Sequence, residues 1–330
     1  MLPRNAVIAA MSLVLAAAPS TANAFERGYT GAAQKFGVLI GAAAEAPPAG
    51  IYMFDQFATF QSHVTGPGAP IVNGKTPQVN YAAAATGFLF VPGWNILGAW
   101  YDAVIVTPFM MYDASAPYNI NPAGMHNTFI APIELSWRLG DSGFFAKAGL
   151  GMYVPDGTIS GPNGLSNVGA PFWTFQPDLV LSYFKDGWNL TANISEEFNT
   201  ASTVTGYRSG NVLHAEFTAT KRIGKWTFGP VGYFGGQVSN DKSSAFYGGA
   251  INTNRYGAWA VGALVGYDFG PVALNVWATD EISVHASGGT FGPGIDSATF
   301  LKGYTVIAQL SYRLWAPDEN PAPSRPMFHK

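Results

Sequence analysis

Apolar and polar side chains take turns along much of this chain. Trp188, Leu190, Ala192 and Ile194 fall on one face of a stretch whose other face carries Asn189, Thr191, Asn193 and Ser195. In the same way Leu213, Ala215, Phe217 and Ala219 oppose His214, Glu216, Thr218, Thr220 and Arg222. Near the end, Val306, Ala308 and Leu310 oppose Thr305, Gln309, Ser311 and Arg313. A period of two marks a strand with one greasy and one wettable face. Comparable segments lie near 50–63, 78–91, 96–111, 126–139, 143–154, 171–184, 187–199, 210–222, 225–238, 254–269, 271–284 and 301–315. That makes about 12 strands, and single-chain bacterial outer-membrane barrels carry an even number.

The connections sharpen the picture. Pro92-Gly93, Gly140-Asp141-Ser142, Asp186-Gly187, Gly224-Lys225 and Gly270-Pro271 are tight-turn chemistry. Between them run longer stretches rich in Gly, Pro, Asn and Ser, at 64–77, 112–125, 155–170, 200–209, 239–253 and 285–300. Short and long connections therefore alternate, as periplasmic turns and extracellular loops do. A soluble sandwich has no reason for this. Hydrocarbon offers the backbone no hydrogen bonds, so a sheet that crosses it must close on itself. The pattern predicts an all-β fold, a transmembrane antiparallel up-and-down β-barrel of the outer-membrane type over residues 50–315. Aromatics near segment ends, among them Tyr52, Tyr81, Trp94, Trp100, Tyr112, Tyr153, Trp173, Trp188, Trp226 and Trp315, are expected to form girdles at both headgroup levels.

Composition narrows the class. Charged residues are 11% and aromatics 14%, where soluble domains carry about 25% charge. After the N-terminus no uncharged apolar run approaches the roughly 18 residues of a membrane helix. A net charge of −3 gives no basic face for nucleic acid. With no cysteine, neither a disulfide nor a lipoprotein anchor can form. Arg4, the apolar Ala6–Ala18 and the small-residue site Ala22-Asn23-Ala24 read as a signal peptide over 1–24, cleaved after Ala24. The expected destination is the bacterial outer membrane. Residues 25–49 fit two placements equally, a plug folded into the lumen and a loose periplasmic leader. Residues 316–330 hold four prolines and read as a disordered periplasmic tail.

The wettable faces predict the lumen. Asp102, Glu134, Arg138, Lys147, Asp178, Glu197, His214, Glu216, Glu281 and Arg313 are candidates to line a constriction or relay. The alternative is that they pair and simply fill a narrow barrel. Asp55 and the apolar Phe57, Trp277 and Ile307 are read as facing in as well. Arg138, Arg222 and Arg313 fall near the periplasmic mouth, where Glu134, Asp178 and Glu216 could pair with them. His214 and Glu216 share a face and read as a hydrogen-bonded pair rather than half a metal site. No second His pair has ligand spacing, so no metal is expected. No Gly-x-Ser-x-Gly elbow occurs, and Gly288–Gly294 lacks the lysine of a phosphate loop. No catalytic residue and no cofactor is therefore expected, and an enzyme is not the leading reading.

Several short motifs carry a resemblance: Pro48-Ala-Gly-Ile-Tyr52, Pro132 with Leu135 and Trp137, Gly187-Trp-Asn189, Tyr207-Arg-Ser-Gly210 with His214 and Glu216, and Gly229-Pro-Val-Gly-Tyr233 with Gln237 and Asp241. Over about 48–315 the chain resembles the outer-membrane proteins named after the meta-pathway of phenol degradation. The resemblance implies a barrel tied to uptake of aromatic or other hydrophobic compounds. One departure is that the chain continues to Lys330 past the closing Leu314-Trp315, where insertion machinery usually reads a terminal aromatic. The expected function is passive diffusion of small hydrophobic or aromatic molecules through the lumen. The expected partners are outer-membrane lipids, that solute and the barrel insertion machinery, with no nucleic acid. The alternatives are a structural or adhesive barrel with a blocked lumen and, behind it, an outer-membrane hydrolase.

Overall fold

A computed structural model describes residues 26, 31–161, 167–290 and 295–317. The expected signal peptide, positions 291–294 of the last glycine-rich loop and all of the tail beyond 317 lie outside the described residues.

Fourteen strands follow in order: β1 (Gly50–Thr65), β2 (Val79–Val91), β3 (Asn95–Ile96), β4 (Ala99–Ala114), β5 (Ala123–Met125), β6 (Phe129–Arg138), β7 (Phe144–Tyr153), β8 (Thr174–Lys185), β9 (Trp188–Asn199), β10 (Val212–Ile223), β11 (Trp226–Gln237), β12 (Arg255–Asp268), β13 (Val272–Ser287) and β14 (Phe300–Trp315). Two of them are short. β3 folds back on the start of β4, so the Pro92-Gly93 turn is really a small hairpin. β5 pairs with Phe109–Met111 and extends the wall above β6. The other twelve form one antiparallel meander, in which β2 pairs with β4 and β14 returns to β1. That last ladder runs from Ile51↔Trp315 to Thr65↔Phe300 and closes the ring. Closure leaves none of these twelve strands at an open edge of the ring, the condition for a sheet in lipid.

Turn chemistry fixes the registers. Asp186 and Gly187, at φ 53° and 79°, make a two-residue hairpin between Lys185 and Trp188. Both positions take the left-handed backbone that Asp-Gly tolerates and that matches strand twist. Pro132, which cannot donate a ladder hydrogen bond, sits where the β6 register shifts between Ile130 and Ile133.

The burial pattern is inverted relative to a soluble protein. Along β9, Asn193, Ser195 and Glu197 are buried, while Leu190, Ile194 and Phe198 are exposed. Alternation thus sends polar groups inward and apolar ones toward lipid, in the outer-membrane manner. Trp94, Trp100, Trp188, Trp226 and Trp315 are exposed at the end with short turns, and Trp173 is exposed at the other end. Tyr52 and Tyr153 break the expectation, since both are buried inside the ring and belong to no girdle. Tyr81 and Tyr112 likewise line an internal cavity.

Candidate functional site: the lumen

Residues 31–49 run down the inside of the barrel on a ladder of hydrogen bonds. At the top, Glu26 accepts from Thr205 and from Tyr247 Oη (3.0 Å), both in loops between strands. Below it, the Ala33 and Gln34 amides donate to Glu197 at 3.1 and 2.7 Å. Next, the Gly37 and Leu39 amides donate to Glu216 at 3.2 and 2.7 Å. Gly41 N donates to Thr218 Oγ1 and Ala44 N to Ser182 Oγ, each at 2.9 Å. At the base, Tyr52 Oη donates to the Pro48 carbonyl at 2.6 Å. Trp277 Nε1 and Gln56 Nε2 donate to the carbonyls of Gly37 and Val38 from other parts of the wall. A segment without helix or ladder of its own must satisfy its amides somewhere, and two buried carboxylates of the wall do much of this. Gly37 takes φ +83°, and a Cβ there would lie 3.1 Å from the Tyr233 ring. Glycine therefore allows the turn that aims this amide at Glu216.

These bonds reassign the residues predicted to line a constriction. Glu197 and Glu216 hold the segment. His214 Nε2 lies 3.0 Å from Glu197 Oε1, so the partner of His214 is Glu197 and not Glu216. The sequence reading paired two neighbours on one strand, but the cross-strand position brings β9 closer. Glu281 is buried, taking Tyr233 Oη at 3.1 Å and the Gly303 amide at 2.9 Å. On the opposite wall, Lys147 Nζ is 3.1 Å from Asp102 and 3.1 Å from Glu134. Asp178 lines the cavity beside this triad.

The arginines do not pair as expected. Arg138, the last residue of β6, is exposed and bonds Gly140 O and Asp141 of the turn that follows, with a side chain 59% exposed, and it does not line the lumen. Arg222 pairs with Asp268 at 2.7 Å. Arg313 lies 6.0 Å from the Tyr52 ring at the periplasmic rim. Glu134 and Glu216 are thus satisfied by Lys147 and by the segment, leaving the rim arginines to nearby turn and strand groups. Phe57, at 53% exposed, faces lipid rather than the lumen, whereas Trp277 and Ile307 are buried inside. Asp55 also faces out, because Gln56 next to it points inward to Val38 and Gln309. It accepts a hydrogen bond from Thr86 at 2.7 Å on the lipid face.

The segment leaves part of the lumen open. A cavity of about 250 Å³ lies between it and the wall made by β1, β2 and β4. Ala83, Ala85, Leu89, Val104, Val106 and Met110 make that side apolar, while Glu134, Lys147 and Asp178 face it from β6–β8. A second cavity, of about 120 Å³, sits above it and shares Gln34, Lys35 and Tyr81 as the partition. Burial pushes the Lys35 ammonium down to about 8, opposed by Glu197. Burial, reinforced by Lys35, pushes the His126 imidazole down to about 3, so it lines the larger cavity uncharged at neutral pH. The apolar wall was not among the residues singled out from sequence. Its signal was there, for Ala82–Ala85 and Phe88–Val91 are apolar on both faces, and a strand greasy on both sides has a greasy lumen face too.

Known proteins place the chain. No curated protein matches it by sequence. Among solved structures, the COG4313 outer membrane channel from Pseudomonas putida F1 is similar at 9% identity, with a TM-score of 0.66 over 82% of this chain and 98% of that one. The translocator domain of the autotransporter NalP from Neisseria meningitidis reaches 0.45 at 11% identity over 81% and 90% of the two chains. A deletion mutant of the TodX monoaromatic hydrocarbon channel reaches 0.43 at 9% identity over 87% and 95%. The first of these likenesses shows the fold, a barrel of the outer-membrane kind. A family model described as "Putative MetA-pathway of phenol degradation" matches residues 61–300, and the chain belongs to that family.

Proposed function

We propose that this barrel is a passive channel that lets small, neutral, aromatic or otherwise apolar molecules cross the outer membrane. The observation that carries the reading is the cavity of about 250 Å³ left between the N-terminal segment and an apolar strip of the wall. A pore for ions or sugars would be polar all round. Here one side is Ala, Val, Leu and Met, which costs a neutral aromatic solute little desolvation. The membership in a phenol-degradation family and the likeness to an outer membrane channel support the same direction. Transport down a gradient needs no catalytic group, and the lumen carboxylates have structural tasks instead. The mature chain would begin after Ala24, and the exposed apolar belt would meet the lipids.

Liposome swelling with phenolic solutes tests the reading. Flux above that of protein-free vesicles is expected, and the protein-free rate would overturn it. A barrel serving only as a scaffold or adhesin is favoured by one observation, the number of bonds that hold the segment in the lumen. That alternative predicts neither flux nor single-channel conductance.

A further inference from the structure

The larger cavity has two unlike walls. Ala83, Ala85, Val104 and Val106 give it an apolar strip, and β6, β7 and β8 bring Glu134, Lys147 and Asp178 to it. Asp178 is the lumen carboxylate that holds nothing in place. It points inward between Gln176 and Val180, both buried. It lies in the field of Glu134 and Lys147, yet it has no hydrogen bond or ion pair among the described residues. It is only half-buried, so its carboxyl stays open to the cavity. The wall is shaped for it. Gly149 stands between Glu134 and Asp178 in one register row. A Cβ at Gly149 would collide with Asp178 Oδ1 and lie 3.2 Å from Glu134 Cγ. A glycine inside a strand marks such a close approach.

The cations nearby are engaged. Lys147 Nζ meets Asp102 Oδ1 at 3.2 Å, Asp102 Oδ2 at 3.1 Å and Glu134 Oε2 at 3.1 Å. An ammonium has three donors, so this one has none left over. Lys35, at the partition above, donates to the Ala32 carbonyl at 2.7 Å and is opposed by Glu197. Glu45 adds a further acid to the lining, and Asn193, diagonal to Asp178, is neutral. The cavity therefore has acceptor capacity to spare at Asp178 and an apolar strip to face it. A charge held away from water without a partner is costly, and a donor brought in by a solute relieves that cost.

We propose that Asp178 anchors the head group of the solute in the larger cavity. The molecule it takes has an apolar body, lying on the strip of Ala83, Ala85, Val104 and Val106, and a polar end that donates hydrogen bonds, an ammonium or a hydroxyl. A carboxylate is refused, because it meets Asp178 as a like charge and finds no ammonium donor to spare on Lys147. The inference rests on the channel reading and adds to it a choice by head group.

Fluorine NMR of the full chain in detergent at neutral pH, read against protein-free micelles, tests this with 4-fluorobenzylamine, 4-fluorobenzyl alcohol, 4-fluorotoluene and 4-fluorobenzoate. The four share a ring and differ in the head group. The amine and the alcohol are expected to saturate one site, the amine more tightly, and the benzoate is expected not to saturate. Asp178→Asn keeps the shape and removes the charge. It should weaken the amine about tenfold and leave 4-fluorotoluene within about twofold, with the alcohol weakened about threefold. Ala85→Phe, which fills the cavity from the strip, should abolish binding of both donors, with circular dichroism confirming the barrel. The proposal is overturned if neither donor saturates, if the benzoate binds as tightly as the amine, if Asp178→Asn affects the amine and 4-fluorotoluene alike, or if Ala85→Phe leaves binding intact. Phenolic flux into vesicles is measured on the same preparation. Flux without this order of binding defeats the anchor and leaves the channel standing. The order of binding without flux keeps the anchor and defeats the channel.

Discussion

Single residues carry two opposite kinds of electrostatic cost here. Lys147 is buried between Asp102 and Glu134, each 3.1 Å away. Removing the cation leaves two buried carboxylates without it, and breaking such a pair costs about 3–5 kcal/mol. Lys147→Met should lower barrel stability by about that amount, read as the urea midpoint in lipid vesicles. Asp55 is the reverse case. It faces lipid roughly 13 Å along β1 from Ile51, at about 3.3 Å per residue, with Thr86 as its hydrogen-bond partner. A carboxylate at that depth is unfavourable, so Asp55→Val should raise stability by about 1 kcal/mol in the same titration. A fall instead would mean that a protein neighbour, not lipid, covers that face.

At the scale of elements, the N-terminal segment and the loops that grip its top respond together to pH. Burial pushes the Glu26 carboxyl up to about 7, against hydrogen bonds from Thr205 and Tyr247. Burial likewise pushes Asp241 up to about 6, against bonds from Tyr207, Gly210 and Gln237 and the charge of Arg255. Both carboxyls are raised on folding, so their contribution is complete below the ordinary carboxylate range and is lost as pH rises through 6 to 7. Amide exchange at 205–210 should therefore be better protected at pH 5 than at pH 8, after correction for intrinsic rates. Glu26→Gln should flatten most of that difference. The strands themselves were legible in the sequence. From β6 to β12 every boundary lies within about three residues of the alternation, because each strand has lipid on one side and polar contacts on the other. The segment was not legible, since residues 31–49 have no period. Their place is set by Glu197 and Glu216, which alternation alone could only point inward. The apolar wall on β2 and β4 was readable in principle from its two-faced strands. The pairing of His214 with Glu197 needed the cross-strand register, which turns 200–211 set over too long a span to count from sequence.

At the scale of the whole molecule, lipid outside and a partly filled lumen inside explain why polar side chains are buried and greasy ones exposed. The closed ladder supplies rigidity, and the segment divides the lumen into a bonded half and an apolar half. On the channel function proposed above, passage runs along the segment rather than through the space it occupies. A disulfide lock tests this most directly, and the chain has no cysteine to interfere. Ala44 N and Ser182 Oγ are 2.9 Å apart, so Ala44→Cys with Ser182→Cys can pin the segment to β8. Flux of phenolic solutes into vesicles is then compared in the oxidised and reduced states of this double variant. Equal flux in both states, above protein-free vesicles, is the predicted result. Flux that falls to the protein-free rate on oxidation and returns on reduction would contradict it, because the segment would then have to leave for anything to pass.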